Sequence, residues 1–516
     1  MPFFEMRAFR KIFVCAVVIL IVLVPLWADF EQTAAPMDEG SLLVYPELML
    51  KGEIPYRDFE TFYGPGNLWV LSAVYAVSNP NIFVERAVGL AYRILILAAI
   101  FMIVQRWSIP LAVGCTFLAG MFILPSLLAA YAWMGGMVCC LWSIWMIAAS
   151  ESKWRALGGG VLAGSALLFR PDLGPAVIAS ALPLFLLMRF AQRRYYVVGA
   201  FVALLPLAGL TLLASPRELL NNLLLFPIIT NPARHLPLFS ADTYLICLFF
   251  VHIAAAVANV IAGAVAVYAK RSDPAARVLL ALALFGLGLT HQAAQRIDLL
   301  HVICAAFMSI SMLPLSVFLL LRLNARTTMS PRKDAILATT MVVIFVDAFV
   351  PEISLYFRHE FVNAFQNETP KAVFIAEHGR SFPVPSDQMA VALAKMFDRL
   401  DALASPGDRL FVGPADLRRT NRNDTFIYHM MPQLRPSTYF LEMNPRSANR
   451  PNSRLAEDVA SADWLVLDHV LDAWSEQNES IKCGSDRPMR VVEQQFELCA
   501  RYGPLDLYRK KKAASL

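Results

Sequence analysis

Apolar residues in this chain come in two spacings. Over the first 350 residues they run together into stretches long enough to cross a hydrocarbon layer of about 30 Å at about 1.5 Å of helical rise per residue. Eleven stretches can be marked, at 12–28, 84–104, 109–124, 128–149, 156–169, 175–187, 196–214, 244–269, 278–290, 300–321 and 335–350. Beyond residue 350 the runs shorten and alternate: helix-like at 387–403, 425–431 and 454–460, strand-like at 409–412, 438–441, 464–467, 490–498 and 505–509. Strands alternating with helices predict a small α/β domain. The expected fold is an α-helical polytopic membrane protein of about eleven spans, 1–350, followed by a soluble α/β domain, 351–516.

Charge density divides the chain at the same place. The first 350 residues carry 24 Lys+Arg and 18 Asp+Glu, and the last 166 carry 21 and 22. Overall 57% of residues are hydrophobic and 16% charged, which excludes a wholly soluble enzyme and a disordered scaffold. The net charge of +5 comes with no basic run interleaved with aromatics, so no nucleic-acid partner is implied. Its distribution sets an orientation instead. With the N terminus in the cytoplasm, sixteen bases fall inside, namely Arg7, Arg10, Lys11, Arg106, Lys153, Arg155, Arg189, Arg193, Arg194, Lys270, Arg271, Arg277, Arg322, Arg326, Arg332 and Lys333. Seven fall outside: Lys51, Arg57, Arg86, Arg170, Arg217, Arg234 and Arg296. The positive-inside rule selects this arrangement and makes the C-terminal domain extracytoplasmic. The apolar segment 67–77 is too short to span, and counting it would invert every later loop, so it is read as a helix lying along the interface. The segment 1–28 lacks a small-residue cleavage site and is read as a retained first span rather than a signal peptide.

The first outer loop, 29–66, holds eight acids and two bases. Turn residues and carboxylates are packed together in Met37-Asp38-Glu39-Gly40-Ser41, in the stretch from Gly52 through Asp58 to Phe59, and in Tyr63-Gly64-Pro65-Gly66. Such a loop is built to be ordered. Asp38-Glu39 just after the first span, then Gly52 to Phe59, Tyr63-Gly64-Pro65-Gly66-Asn67-Leu68, an interfacial helix and Arg86 opening the next span resemble the N-terminal part of the GT-C membrane glycosyltransferases. Bacterial members include aminoarabinose transferases acting on lipid A and related lipopolysaccharide transferases. The resemblance is best over the first hundred residues and agrees with the layout of many spans plus an outer C-terminal domain.

Two further outer sites carry an Arg beside an Asp: Arg170 with Asp172 at the end of the fifth span, and Arg296 with Asp298 and His301 at the start of the tenth. If that second segment is helical, Asp298 and His301 share a face. Helix-end salt bridges are the competing reading of both. Arg93 lies nine residues into the second span, roughly 13 Å below its outer end by helical rise. A cation at that depth lines a cavity, pairs with a carboxylate or snorkels, and a lipid phosphate is one partner it could take.

The resemblance implies transfer of a sugar from a polyprenyl-phosphate donor to a lipid, glycan or protein acceptor at the outer face of the inner or plasma membrane, with inversion at the anomeric carbon. Such transfer needs a base for the acceptor proton and groups to hold the departing phosphate. Asp38 stands where the family carries its functional aspartate and is the candidate base, with Glu39 orienting it or the acceptor. Arg170 and Arg296 are candidates for the phosphate, since a guanidinium can engage two of its oxygens. Asp58, Arg86, Asp172, Asp298 and His301 complete the candidate substrate-binding set. No cofactor is required by this reading. A divalent metal is disfavoured, because family members that use one draw acidic ligands from the next outer loop, and 124–128 has none. Asp38, Glu39 and Asp58 are the groups that would coordinate an ion if one binds.

The tail shows no glycine-rich phosphate loop, Walker motif or metal-spaced His/Cys cluster, and is assigned to acceptor binding or to covering the active site. Six cysteines fall in spans, where buried thiols pack. Cys483 and Cys499, sixteen apart in the outer tail, are candidates for a disulfide worth about 3 kcal/mol by loop closure. A secondary transporter or lipid flippase is the alternative function, though no repeated half or pair of broken spans supports it.

Overall fold

The structure, a computed structural model, describes residues 2–148, 152–231, 235–269, 274–323, 330–366, 371–420, 422–473, 476, 478, 480 and 482–512. Arg234, Lys270, Arg271 and Arg326 lie outside the described residues. The chain forms two compact units. One comprises Met1–Asp29, Gly89–Gly209 and Leu236–Thr369, and the other Phe30–Val88, Leu210–His235 and Pro370–Leu516.

Helices fill the first unit. Among the described residues five are long and apolar enough to cross a membrane, Ile82–Val104, Phe190–Ala214, Thr243–Ala269, Pro274–Gln295 and Leu299–Leu323. A sixth is counted if Pro331–Phe349 and Pro351–Gln366, bent by 99° at Val350, are one span. Ile109–Ile123, Ala132–Ile147 and Pro171–Phe185 are shorter apolar helices. The eleven stretches of the sequence all become helical, but fewer of them reach spanning length. Their apolar side chains face outward: Phe201 is 68% exposed and Leu212 87%, a surface that only hydrocarbon would cover favourably. By contrast Leu299–Leu323 is largely buried among its neighbours.

Close helix packing in this unit relies on small residues, as expected where helices associate by van der Waals fit. On helix Lys153–Phe169, Gly160 and Gly164 lie one turn apart, and a Cβ at either would come within 1.9 Å of the Tyr196 carbonyl or 2.5 Å of that of Ala200. Buried Asn259 ties three helical segments together. It donates to the Ser309 carbonyl (2.7 Å) and accepts from the Ser316 hydroxyl (2.7 Å). Cations assigned to the inner side gather at helix ends: Arg106 and Arg155 both donate to the Trp145 carbonyl at 3.3 Å, and the Arg155 guanidinium stacks over the Trp145 ring.

The second unit joins the first outer segment to the tail. Helix Asp38–Leu50 packs on helix Pro65–Ser78 and on the short helix Phe426–Met430. Gly40 makes the second contact possible, since a Cβ there would lie 2.5 Å from the Phe426 amide nitrogen. Pro46 interrupts helix Asp38–Leu50 by removing the N–H that would reach the Leu42 carbonyl. The Tyr75 hydroxyl donates to that carbonyl instead, at 3.3 Å. The segment predicted at the interface is thus helical, opened by Pro65 in its first turn. A π-helix, Asn221–Thr230, stacks Phe226 on Phe62 and lets Asn222 donate to the Tyr439 hydroxyl (3.0 Å).

The tail contains a hairpin, β1 (Val373–Glu377) and β2 (Arg380–Val384), and a mixed five-stranded sheet of β3 (Arg409–Pro414), β4 (Arg435–Pro436), β5 (Trp464–Asp468), β6 (Phe496–Tyr502) and β7 (Leu505–Lys510) in the order β4-β3-β5-β7-β6. β3 runs parallel to β4 and β5, while β7 is antiparallel to β5 and β6. Helix Asp387–Leu403 appears where its pattern placed it. Two expectations are corrected. Residues 438–441 are not a strand, because the Asp458 carboxylate takes the Thr438 hydroxyl and the Tyr439 amide (3.1 and 2.9 Å) and turns the chain away from the sheet edge. The strand expected at 490–498 is helix Arg487–Gln495 followed by β6, since Pro488 opens a helical turn and Met489, Val492 and Phe496 recur at helical spacing on the sheet core. The hairpin was not anticipated. The expected disulfide is not formed: Cys483 and Cys499 are both free, the latter on β6.

Candidate active site

Asp38 is the first residue of helix Asp38–Leu50 and is half-buried, with its acidic neighbour completing a first turn that complements the helix dipole. Glu39 is buried and closed by Arg86 through a two-pronged ion pair of 2.7 and 3.1 Å. The same Arg86 donates to the Phe30 and Gln32 carbonyls (3.0 and 2.9 Å), and Glu39 accepts from the Ala35 amide (2.8 Å). Every one of these bonds fixes the backbone that leads into Asp38. Glu39 and Arg86 are therefore brought together as predicted, but as each other's partners.

Asp58 accepts from Arg57 at 2.9 and 2.7 Å and from the Ile54 amide at 2.7 Å, which folds the 54–58 turn. The Arg57 bond holds its carboxyl below the ordinary carboxylate value against the opposing effect of burial. A cation cage of Asp38, Glu39 and Asp58 does not fit this arrangement, since guanidinium groups already occupy both oxygens of two of the three. Asp58 does line a cleft of about 450 Å³ with Lys51, Glu53, Arg409, Tyr439 and Arg454. Its lining is polar and carries more bases than acids.

Sequence reasoning missed three acids of this unit. Glu47, three turns into the Asp38 helix, takes both nitrogens of Arg380 on β2 (2.7 and 2.8 Å), with His429 at 3.5 Å and Lys51 at 3.1 Å. Burial would raise its pKa, but the hydrogen bonds from His429 and Arg380 prevail and hold it well below the usual range. Glu60 is fully buried, and desolvation pushes its carboxyl up to about 8 despite a hydrogen bond from Ser447, with nearby Glu442 adding to the shift. Asp458 organises the 438–439 turn. Nothing local marks any of them, because their partners lie hundreds of residues away in sequence.

In the helical unit, Arg170 pairs with Asp172 at the end of helix Lys153–Phe169, and Asp172 also accepts from Gln292 (3.2 Å). Arg296 donates to Asp298 (2.6 Å), which caps helix Leu299–Ser311 by accepting from the His301 amide (2.9 Å) and lies 2.8 Å from the His301 ring Nδ1. Asp298 and His301 thus meet through an N-cap and not as neighbours on a helix face. Arg170, Asp298 and Arg93 all lie within electrostatic reach of Cys304, so the two predicted clusters belong to one neighbourhood of this unit. Buried Arg93 donates to the carbonyls of Gly89 (2.9 Å), Leu127, Leu128 (3.4 Å) and Ala129 (3.3 Å) and to the Ser126 hydroxyl (3.0 Å). It staples the 126–129 turn, and these carbonyls take the place of the lipid phosphate considered for it.

Many apolar helices, an acidic helix after the first one and a small α/β tail together give this chain the fold of the GT-C membrane glycosyltransferases. Among solved structures it is similar to ArnT from Cupriavidus metallidurans, a GT-C glycosyltransferase, both bound to undecaprenyl phosphate (TM-score 0.52, 13% identity) and in the apo state (0.51, 12%), with 98% of each chain covered. Arabinofuranosyltransferase AftD from Mycobacteria also aligns, at a TM-score of 0.48 and 14% identity over 98% of this chain and 40% of that one. No protein-family model matches the sequence, and no curated protein does.

Proposed function

We propose that this protein is an integral membrane glycosyltransferase that moves a sugar from a polyprenyl-phosphate-linked donor to a lipid, glycan or protein acceptor at the extracytoplasmic face, with inversion. The observation that carries this reading is the GT-C fold over the whole chain, in which Asp38 opens a helix whose approach is fixed by the Glu39–Arg86 pair. The undecaprenyl phosphate held by the ArnT structure is the carrier class assigned to the donor here.

In this reading Asp38 removes the proton from the acceptor hydroxyl as that oxygen attacks the anomeric carbon. The bond from that carbon to the phosphate oxygen breaks, and polyprenyl phosphate leaves with the electron pair. Arg170 and Arg296 stabilise the charge growing on the phosphate, their orientations preset by Asp172 and Asp298. Glu39 and Arg86 are positioning residues for Asp38. The polar, base-rich cleft beside Asp58 suits an acceptor bearing hydroxyl and anionic groups.

The test is release of free polyprenyl phosphate by the purified protein in lipid, given a lipid-linked sugar pool and an acceptor extract. Wild type is expected to release it, and Asp38→Asn to lose about 10²- to 10⁴-fold in kcat. Full activity in Asp38→Asn would remove Asp38 as the base. No release by wild type from any donor pool would move the assignment to transport.

A further inference from the structure

The fold assembles a group of metal-ligand type that sequence spacing does not show, correcting the expectation that the tail has none. Glu377 and His378 lie at the tip of the β1–β2 hairpin, Asp401 in the last turn of helix Asp387–Leu403, and one ligand atom from each falls within 4.8 Å of the others. His378 Nε2 is 2.9 Å from Asp401 Oδ2 and 4.0 Å from Glu377 Oε1. Gln433 closes the group, with its amide nitrogen 3.0 Å from His378 Nε2 and 2.6 Å from Asp401 Oδ1.

Protons alone do not satisfy these contacts. If His378 Nε2 carries a hydrogen it can donate to Asp401, but it then faces the Gln433 amide donor at 3.0 Å. If it carries none, its lone pair faces a carboxylate oxygen at 2.9 Å with no hydrogen between them. Turning the Gln433 amide over sets its oxygen 2.6 Å from Asp401 Oδ1, again acceptor against acceptor. As placed, that Gln433 oxygen is buried without a partner. A cation at the centre satisfies the imidazole nitrogen, both carboxylates and the turned amide oxygen at once. The separations of 2.9 to 4.0 Å bracket the roughly 3.3 Å edge of a tetrahedron with about 2.0 to 2.1 Å bonds to zinc.

We propose that Glu377, His378, Asp401 and Gln433 form a divalent-cation site of zinc type. One imidazole with oxygen ligands favours Zn²⁺ over the all-oxygen sets of Ca²⁺ and Mg²⁺. The side chains of His378 and Asp401 are 33% and 29% exposed, so the ion can enter from solvent. Bound there, it clips the hairpin tip to the helix and to the segment leading into β4. The same hairpin carries Arg380, the partner of Glu47 on the Asp38 helix. The ion is therefore a structural fastener within this unit, independent of whether the chain transfers sugar.

The test is calorimetric titration of the chelator-treated full chain in detergent with ZnCl2, paired with thermal unfolding. One equivalent of Zn²⁺ is expected to bind and raise the Tm. Asp401→Asn and His378→Asn should each weaken binding by roughly tenfold or more; asparagine suits position 378 because φ there is +49°. His469→Asn, which alters a separate His–Asp pair, should bind as wild type does. Cobalt substitution should give the visible absorption of a four-coordinate site. Wild-type affinity in His378→Asn, no saturable equivalent, or tighter binding of Ca²⁺ or Mg²⁺ than of Zn²⁺ would overturn the proposal.

Discussion

Asp38 and Glu39 are adjacent in sequence yet differ completely in what they can do. Glu39 has spent both oxygens on Arg86, and an ion pair buried this deeply is costly to break from one side, typically by about 3 to 5 kcal/mol. Glu39→Gln is therefore a folding lesion as much as an activity lesion, whereas Asp38→Asn leaves that pair intact and reads chemistry alone. Glu60 offers a different residue-scale test. Its folded pKa of about 8 lies above the ordinary 4.5, so its favourable contribution is fully present below about pH 4.5 and is lost as pH rises through about 8. Glu60→Gln keeps the shape without the charge. Its Tm should match wild type near pH 5 and exceed it near pH 8.5, and a gap that does not widen with pH would show that Glu60 is not held protonated.

At the scale of elements, helix Asp38–Leu50 is a helix with a defect and a repair. Pro46 orphans the Leu42 carbonyl, and Tyr75 from helix Pro65–Ser78 supplies the missing donor. Removing only that hydroxyl, Tyr75→Phe, should cost about 1 kcal/mol of stability, seen as a lower Tm, and should lower activity through the helix that begins at Asp38. An unchanged Tm would mean that water serves the carbonyl equally well. The proline was visible in the sequence, as were the helix-opening Pro65 and the Asp387–Leu403 pattern. The hydroxyl that compensates was not, because a tyrosine's hydrogen-bond partner 33 residues away leaves no periodic trace. The strand misread at 438–441 failed for the same reason, since Asp458 overrides a local apolar pattern from outside it.

For the whole molecule, the orientation derived from charge makes a direct demand. Cys483 is a free and exposed thiol in the tail. A membrane-impermeant maleimide added to intact spheroplasts should label it from outside, with Cys483→Ser abolishing that labelling. Labelling that requires permeabilisation would invert the topology.

What the sequence by itself determined was set by bulk properties: apolar runs that become helices, the change in charge density near residue 350, and the acidic run on which the family resemblance rests. These depend on composition and short-range order, which survive without knowledge of partners. Tertiary structure decided the rest. It placed 30–88 and 210–235 in one unit with the tail, converted Glu39 and Arg86 from candidate reactants into a closed pair, and turned Arg93 into a staple of carbonyls. It also brought Glu377, His378, Asp401 and Gln433 together. The physical reason is common to all four: a charged side chain's role is fixed by what desolvates it and what pairs with it, and those neighbours are chosen by the fold rather than by the chain's local order.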